Sequence, residues 1–447
     1  MQFAAMLDAP WREPAEVLAT FAEEPWAIGF LSGGGGERAR WSYLARGPDA
    51  VLVVPRDGQQ DTFAALSQMI GPPTNAIADG PPFQGGVAGL ASYELGDRVE
   101  PLGLGGLRRW PDLAVGRYPG VLAFCHVTRR VLAIGRGESQ AEAEQTACLV
   151  LGWLAAPRSK LQPEVLALDV VASNGTEYEA SVAGVVARIV AGEFFQANIA
   201  RSWSGRLDLG RSPGDLMQRL ASQSVAPFAS YFRLPDRAVV SNSPERFFRV
   251  DACGRVETRP IKGTRPRGRD EAEDRRLICE LAISAKDRAE NLMIVDLMRN
   301  DLSRVCVPGS VEVPELCAVE SFANVHHLVS TVTGQLAAGR TALDLLQATF
   351  PPGSITGAPK VQAMKLIAQL EPPRGPYCGT MFWAGCDGAF DSSVLIRTVS
   401  FEEDLEGWQF EARAGAGIVA ESDPASERLE TEAKIAALLR ALTDAPT

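Results

Sequence analysis

Histidine is nearly missing from this chain, with three in 447 residues, and the eight cysteines stand apart without a single C-x-x-C pair. Those two shortages argue against a zinc site, whose usual ligands are closely spaced thiolates and imidazoles. No run of about 18 apolar residues occurs, so no segment qualifies as a membrane-spanning helix. Met1–Pro14 places Asp8, Arg12 and Glu13 close behind a very short apolar run and lacks the basic and apolar blocks of a signal peptide. The expectation is a cytoplasmic protein with reduced thiols. Positive charge is also short: 44 Lys and Arg against 55 Asp and Glu leave a net charge of −11. A nucleic acid or an anionic membrane held by general electrostatics is therefore not expected, because phosphate recognition needs clustered positive charge. What remains is average, 46% hydrophobic and 22% charged, which excludes collagen-like, coiled-coil and disordered classes. The length allows two or three domains or one unusually large one.

The first hundred residues are broken by Gly33–Gly36, Gly71-Pro72-Pro73 and Gly80-Pro81-Pro82, which read as loops between short apolar runs. Val121–His126 and Val131–Gly135 suggest a hairpin, and Glu138–Leu154 a helix. Ala155–Pro163, with two prolines among polar residues, is the best linker candidate. Tyr178–Val190 has helical spacing, ended by Gly192, and Phe194–Trp203 then alternates as a strand, as do Ala238–Asn242 and Arg246–Val250. From Asp270 to Arg304 one long helix is expected, its stripe drawn by Leu277, Leu281, Ala285, Ala289 and Leu292. Later strands are expected at Leu328–Thr333, Val394–Phe401 and Phe410–Ala416. A last helix is signalled by Asp423 as N-cap and Pro424 behind it.

Several residues could carry chemistry. Between Arg255 and Arg269 six basic residues face the single acid Glu257, which describes a solvated loop except at Lys262. That lysine lies in Pro260-Ile261-Lys262-Gly263-Thr264, between a rigid proline and a flexible glycine, where a partly desolvated amine would become nucleophilic. Asp287 and Glu290 share a helix face, as do Glu427, Glu430 and Lys434. Each set is either a surface salt-bridge group or, if the two helices converge, a source of hard oxygen ligands for Mg²⁺ from Glu290 and Glu430. Arg397 interrupts an apolar strand and needs a partner, either a structural acid or a substrate carboxylate. Ala414-Gly415-Ala416-Gly417 lets backbone approach a ligand or another strand closely. Gly353–Lys360 resembles a phosphate loop only superficially, since it lacks the G-K-[ST] ending. His326 and His327 must point to opposite faces of one strand. Glu245, in Ser243-Pro244-Glu245-Arg246-Phe247, is either a partner for Arg246 or a general acid.

Taken in order, Ser243–Phe247, Pro260–Thr264, Lys286–Asn291 running on to Arg299–Leu302, Val325–Leu328, Gly353–Lys360 and Glu427–Lys434 resemble the motifs of the chorismate-utilising enzymes. The resemblance covers residues 175–443, a chorismate-binding catalytic region, and more faintly 1–160, through Gly85–Gly89 and Tyr93. It implies an α/β (α+β) fold in which two antiparallel sheets pack as a sandwich with helices outside, the two regions interleaved. It implies that Glu290 and Glu430 hold Mg²⁺ against the ring carboxylate of chorismate. Glu245 would be the general acid near the C4 hydroxyl, with His327 beside the ring and Tyr377 and Arg397 on the enolpyruvyl carboxylate. Thr264, Gly415, Gly417, Lys434 and Gln196 match further substrate-binding positions.

Two positions sort the chain within that family. Members that attack chorismate with water resemble one another in a Lys where this chain has Gln196, whereas Lys262 resembles the members that aminate C4. The implied activity is a nitrogen-group transfer giving 4-amino-4-deoxychorismate, on the route to para-aminobenzoate and folate. No glutaminase motif is recognisable, so a separate glutamine amidotransferase subunit is the expected source of ammonia. The rivals are an anthranilate-forming enzyme of the same fold and a catalytically silent subunit that docks an amidotransferase.

Overall fold

Runs such as Val121–Phe124 are apolar at every position, a pattern that a strand with one wet face does not show. In the computed structural model of the chain, which describes residues 2–33, 39–105, 110–156, 165–322 and 325–444, such runs are strands covered on both sides. Along Gly120–Cys125, Val121 and Ala123 enter the layer between two sheets, while Leu122 and Phe124 pack outward under helices. Thr380–Gly385 does the same, with Met381 and Trp383 inward and Phe382 and Ala384 outward. Two antiparallel sheets thus enclose an inner core, and helices supply two outer ones. Helices Pro14–Ala19, Pro213–Ser224 and Pro424–Thr443 cover the first sheet. Helices Thr62–Ile70, Ala285–Ser303 and Ala342–Thr349 cover the second.

Among the described residues the first sheet has twelve strands and the second ten. Both mix early and late parts of the chain: Ile28–Leu31 pairs with Phe228–Arg233 in the first, and Gly86–Ala91 with Thr380–Gly385 in the second. Two crossings between the sheets position the site. The chain leaves the first sheet at Ser243, passes Pro244 and Glu245, and enters the second at Arg246. It returns from Val394 to Thr398 through Leu395–Arg397. The crossings are tied together: Val394 N–H donates to the Glu245 carbonyl at 3.0 Å, and Asn242 N–H to that of Arg397 at 2.9 Å.

Three expectations change. The helical stretch 270–304 is two helices, Glu271–Ile283 and Ala285–Ser303, because Ser284 turns extended (φ −60°, ψ 108°) and accepts from Asp287 N–H as N-cap of the second. Ala285, Ala289 and Leu292 are accordingly exposed, and the second helix buries Asn291, Ile294, Val295, Met298 and Leu302. Val394–Phe401 is not one strand; Arg397 sits in the crossing with a left-handed backbone, φ +53°. The basic segment 255–269 is not a loop but the strands Arg255–Thr258 and Ile261–Pro266. Its arginines meet acids from elsewhere in the chain: Arg259 pairs with Glu320, Arg265 with Glu280 and Asp287, Arg267 with Asp274. The linker candidate Ala155–Pro163 lies, beyond Ala156, outside the described residues, as do residues 34–36 of the first glycine cluster. No described helix is long and apolar enough to cross a membrane.

Candidate active site

Lys262 is the hub. It stands on Ile261–Pro266 of the second sheet and reaches toward the first, where a Cβ added at Gly417 would lie 3.2 Å from both Lys262 Nζ and Gln196 Nε2. Gly417 and Gly415 lie on Gly407–Ile418, paired with Gln196–Arg206. The missing side chain at Gly417 leaves the space that the Lys262 amine enters. Gly263 follows with φ +84°, and a Cβ on it would meet Asp287 at 2.9 Å, so glycine is needed where this strand runs under the Glu290 helix. Burial lowers the pKa of Lys262, and the Lys434 ammonium adds to that, while Glu290, Glu245 and Glu430 pull the other way.

Glu245 is buried in the first crossing, 6% exposed. Arg246 does not pair with it; that guanidinium turns to Asp391 (2.9 Å) and Glu257 (3.1 Å). The carboxyl instead accepts from Ser354 Oγ at 2.6 Å. Burial pushes its pKa up to about 7, against the opposing pull of Ser354, Lys262 and Lys434. A carboxylic acid that is half protonated near neutrality is suited to giving up a proton.

Glu290 and Glu430 come from the helices Ala285–Ser303 and Pro424–Thr443, and both lie within electrostatic reach of Lys262. Burial raises the pKa of Glu290, and Glu430 and Asp287 raise it further. At Glu430 burial is outweighed by the Lys434 ammonium, 2.6 Å away, which holds the carboxyl below its ordinary range. Lys434 Nζ also donates to the Gly415 carbonyl at 2.9 Å. Among the described residues no three His, Cys, Asp or Glu side chains gather as a ready metal cage. Two mutually repelling carboxylates, Glu290 mostly buried and Glu430 half exposed, still suit a cation that binds through one or two carboxylates and completes its shell with water and substrate oxygens, as Mg²⁺ does.

His327 and Thr264 face each other across paired strands, with Thr264 Oγ1 2.9 Å from His327 Nδ1. Burial, helped by Arg397, lowers the pKa of His327 to about 4, so the ring is neutral at pH 7. His326 points the other way, fully buried against Ser321 and Asp274. In the second crossing Arg397 is close enough to Glu430, Tyr377 and His327 to interact with each. Burial lowers its pKa, which marks a guanidinium short of anionic partners. Tyr377 is buried, its hydroxyl held far from ionisation by that burial.

Apart from His326, the residues singled out from the sequence lie in or beside one region between the sheet crossings. Sequence reasoning missed two others. Ser354 was only part of a motif, and its bond to Glu245 is a contact across 109 positions. Asn198 looked like an ordinary strand residue, yet it is 7% exposed with Oδ1 lacking any partner.

The model of the chorismate binding enzyme family matches residues 31–440. The chain is 39% identical to aminodeoxychorismate synthase component 1 of Klebsiella aerogenes, over 98% of this chain and 99% of that protein. It is also 39% identical to anthranilate synthase component 1 of Streptomyces coelicolor, over 90% of this chain and 81% of the other. Among solved structures, anthranilate synthase component I of Streptococcus pneumoniae TIGR4 superposes with a TM-score of 0.79 at 28% identity, covering 91% of this chain and 93% of that one. With the match spanning nearly its whole length, the chain belongs to the chorismate binding enzyme family.

Proposed function

We propose that the chain aminates chorismate at C4 to give 4-amino-4-deoxychorismate, with ammonia from a glutamine amidotransferase partner, on the route to para-aminobenzoate and folate. The observation that carries this reading is Lys262. A desolvated amine stands between two carboxylates fit for a cation and a protonatable Glu245, beside a carboxamide and not a base. The full-length likeness to a relative named aminodeoxychorismate synthase component 1 supports it, and the word component supports a partner subunit.

Glu290 and Glu430 would hold Mg²⁺, which when bound anchors the ring carboxylate and draws electron density from the ring. Arg397 and Tyr377 receive the enolpyruvyl carboxylate, a good match for a guanidinium fork. Lys262, as the neutral amine that burial favours, attacks C2 while Glu245 protonates the departing C4 hydroxyl, which leaves as water. The lysine nitrogen is then a secondary ammonium. Ammonia attacks C4, both ring double bonds shift back to their first positions, and Lys262 departs from C2 as a neutral amine. The new C4 ammonium returns one proton to the Glu245 carboxylate, so acid and nucleophile are both restored. Neutral His327 lines the ring without adding a competing positive charge.

The test is to supply the chain with chorismate, Mg²⁺ and ammonium chloride and identify the product. The expected product is 4-amino-4-deoxychorismate without fluorescence. Fluorescent anthranilate would assign the chain to the other branch of its relatives, and no consumption of chorismate would leave it a docking subunit.

A further inference from the structure

Gln196 and Asn198 are two apart on the strand Gln196–Arg206, so their side chains leave the same face. It is the face that Lys262 approaches. Gln196 is fully buried with neither Oε1 nor Nε2 paired, and Asn198 is 7% exposed with Oδ1 unpaired. A Cβ on Gly415 would come within 2.6 Å of Asn198 Oδ1, and one on Gly417 within 3.2 Å of Gln196 Nε2. The two glycines therefore give the carboxamides the space that a side chain would take, and the buried Oδ1 of Asn198 is left without a donor. The Asn198 backbone is fixed from both sides: its N–H donates to the Thr356 carbonyl at 2.8 Å, and its carbonyl accepts from Arg374 Nη2 at 2.7 Å. Only the side chain is left open. A buried acceptor without a donor is unfavourable, and a ligand supplying an N–H or O–H removes that cost.

We propose that Asn198 Oδ1 accepts an N–H of the ammonia nucleophile and aims its lone pair at the ring, making Asn198 a determinant of ammonia use. The proposal rests on the C4-amination reading. Chorismate is a dianion whose four carboxylate oxygens call for donors, and Arg397, Lys434 and the hydroxyl of Tyr377 are the donors placed for them. Its one hydroxyl, at C4, is met by Glu245. An acceptor oxygen is thus left for the second substrate. Water could occupy the same place, but water must lose a proton to become a good nucleophile, and a carboxamide is no base. Ammonia needs only orientation, which an acceptor supplies without taking a proton.

The test uses the full chain with ammonium chloride as the nitrogen source at fixed pH, varying ammonium and chorismate in turn. Asn198→Ala is expected to raise the KM for ammonia about tenfold, the loss of one hydrogen bond, while the KM for chorismate stays within about twofold of the unsubstituted chain. Should that variant fail to fold, Asn198→Ser, whose shorter hydroxyl does not reach the same point, is expected to give the same split. An unchanged KM for ammonia, or an equal rise for both substrates, would overturn the assignment. If instead the unsubstituted chain gives no product aminated at C4, the C4-amination reading itself fails, and the role of Asn198 falls with it before any variant is measured.

Discussion

At Glu245 burial is opposed by one hydrogen bond and two nearby ammonium groups. Burial favours the acid, while Ser354 Oγ, at 2.6 Å, stabilises the carboxylate. As the proposed general acid, Glu245 must be protonated in the free enzyme, so kcat/KM for chorismate is expected to fall as pH rises through about 7. Removing the Ser354 hydroxyl destabilises only the anion and raises the pKa further. Ser354→Ala is therefore expected to move the alkaline limb of the kcat/KM profile to higher pH, and a limb that stays in place or moves down would assign the limb to another group. Much at this scale was legible. Strand alternation puts His326 and His327 on opposite faces, the family resemblance picks His327, and the isolated setting of Lys262 between proline and glycine marks it out. What was not legible is whatever depends on unmet partners. Glu245 beside Arg246 reads as an ion pair until the fold brings Asp391 and Glu257 to the arginine, and nothing in the sequence tells a paired Asn198 from an unpaired one.

Between elements, the helix carrying Glu290 must be held against the loop carrying Ser354. Lys360 does this at the start of the helix Lys360–Leu370: its Nζ donates to Asp301 Oδ2 and to the Thr349 carbonyl, each at 2.6 Å. Asp301 lies on the Glu290 helix and is 4% exposed. Burial raises the pKa of Asp301 and lowers that of Lys360, so the pair persists because each charge offsets the desolvation of the other. Lys360→Ala leaves the carboxylate buried and unpaired, and a loss of about 3–5 kcal/mol is expected in chemical denaturation. A loss below about 1 kcal/mol would mean that Asp301 is rescued by water. Local signals announced some elements well: Asp423 accepts from Ser426 N–H at 2.9 Å and caps the last helix as its sequence suggests. They failed at Ser284, where apolar spacing continues across a cap, and at Arg397, where an apolar run spans a change of sheet. In both cases periodicity continues while the backbone does not.

At the scale of the whole molecule, the site exists because the chain changes sheets twice at one place. Glu245 and Arg397 occupy the two crossings, and strands from opposite ends of the sequence are paired to either side. Pairings across two hundred or more residues leave no periodic trace, so the two-sheet fold came from resemblance of motifs and not from patterning. The net charge of −11 gains a local meaning as well. Part of the acidity is Glu290 and Glu430, set beside Lys262, Lys434 and Arg397 in a cluster of mixed charge, as the proposed dianion and its counter-cation would require. The proposed amination depends most on Lys262 being the nucleophile that opens the route to C4. The most direct measurement is the rate of C4 amination by Lys262→Ala, with chorismate, Mg²⁺ and ammonium chloride saturating and folding checked by thermal unfolding. A fall of about a hundredfold or more, equivalent to about 2.7 kcal/mol of transition-state stabilisation, is the predicted result; a folded variant that aminates C4 at close to the native rate would contradict it.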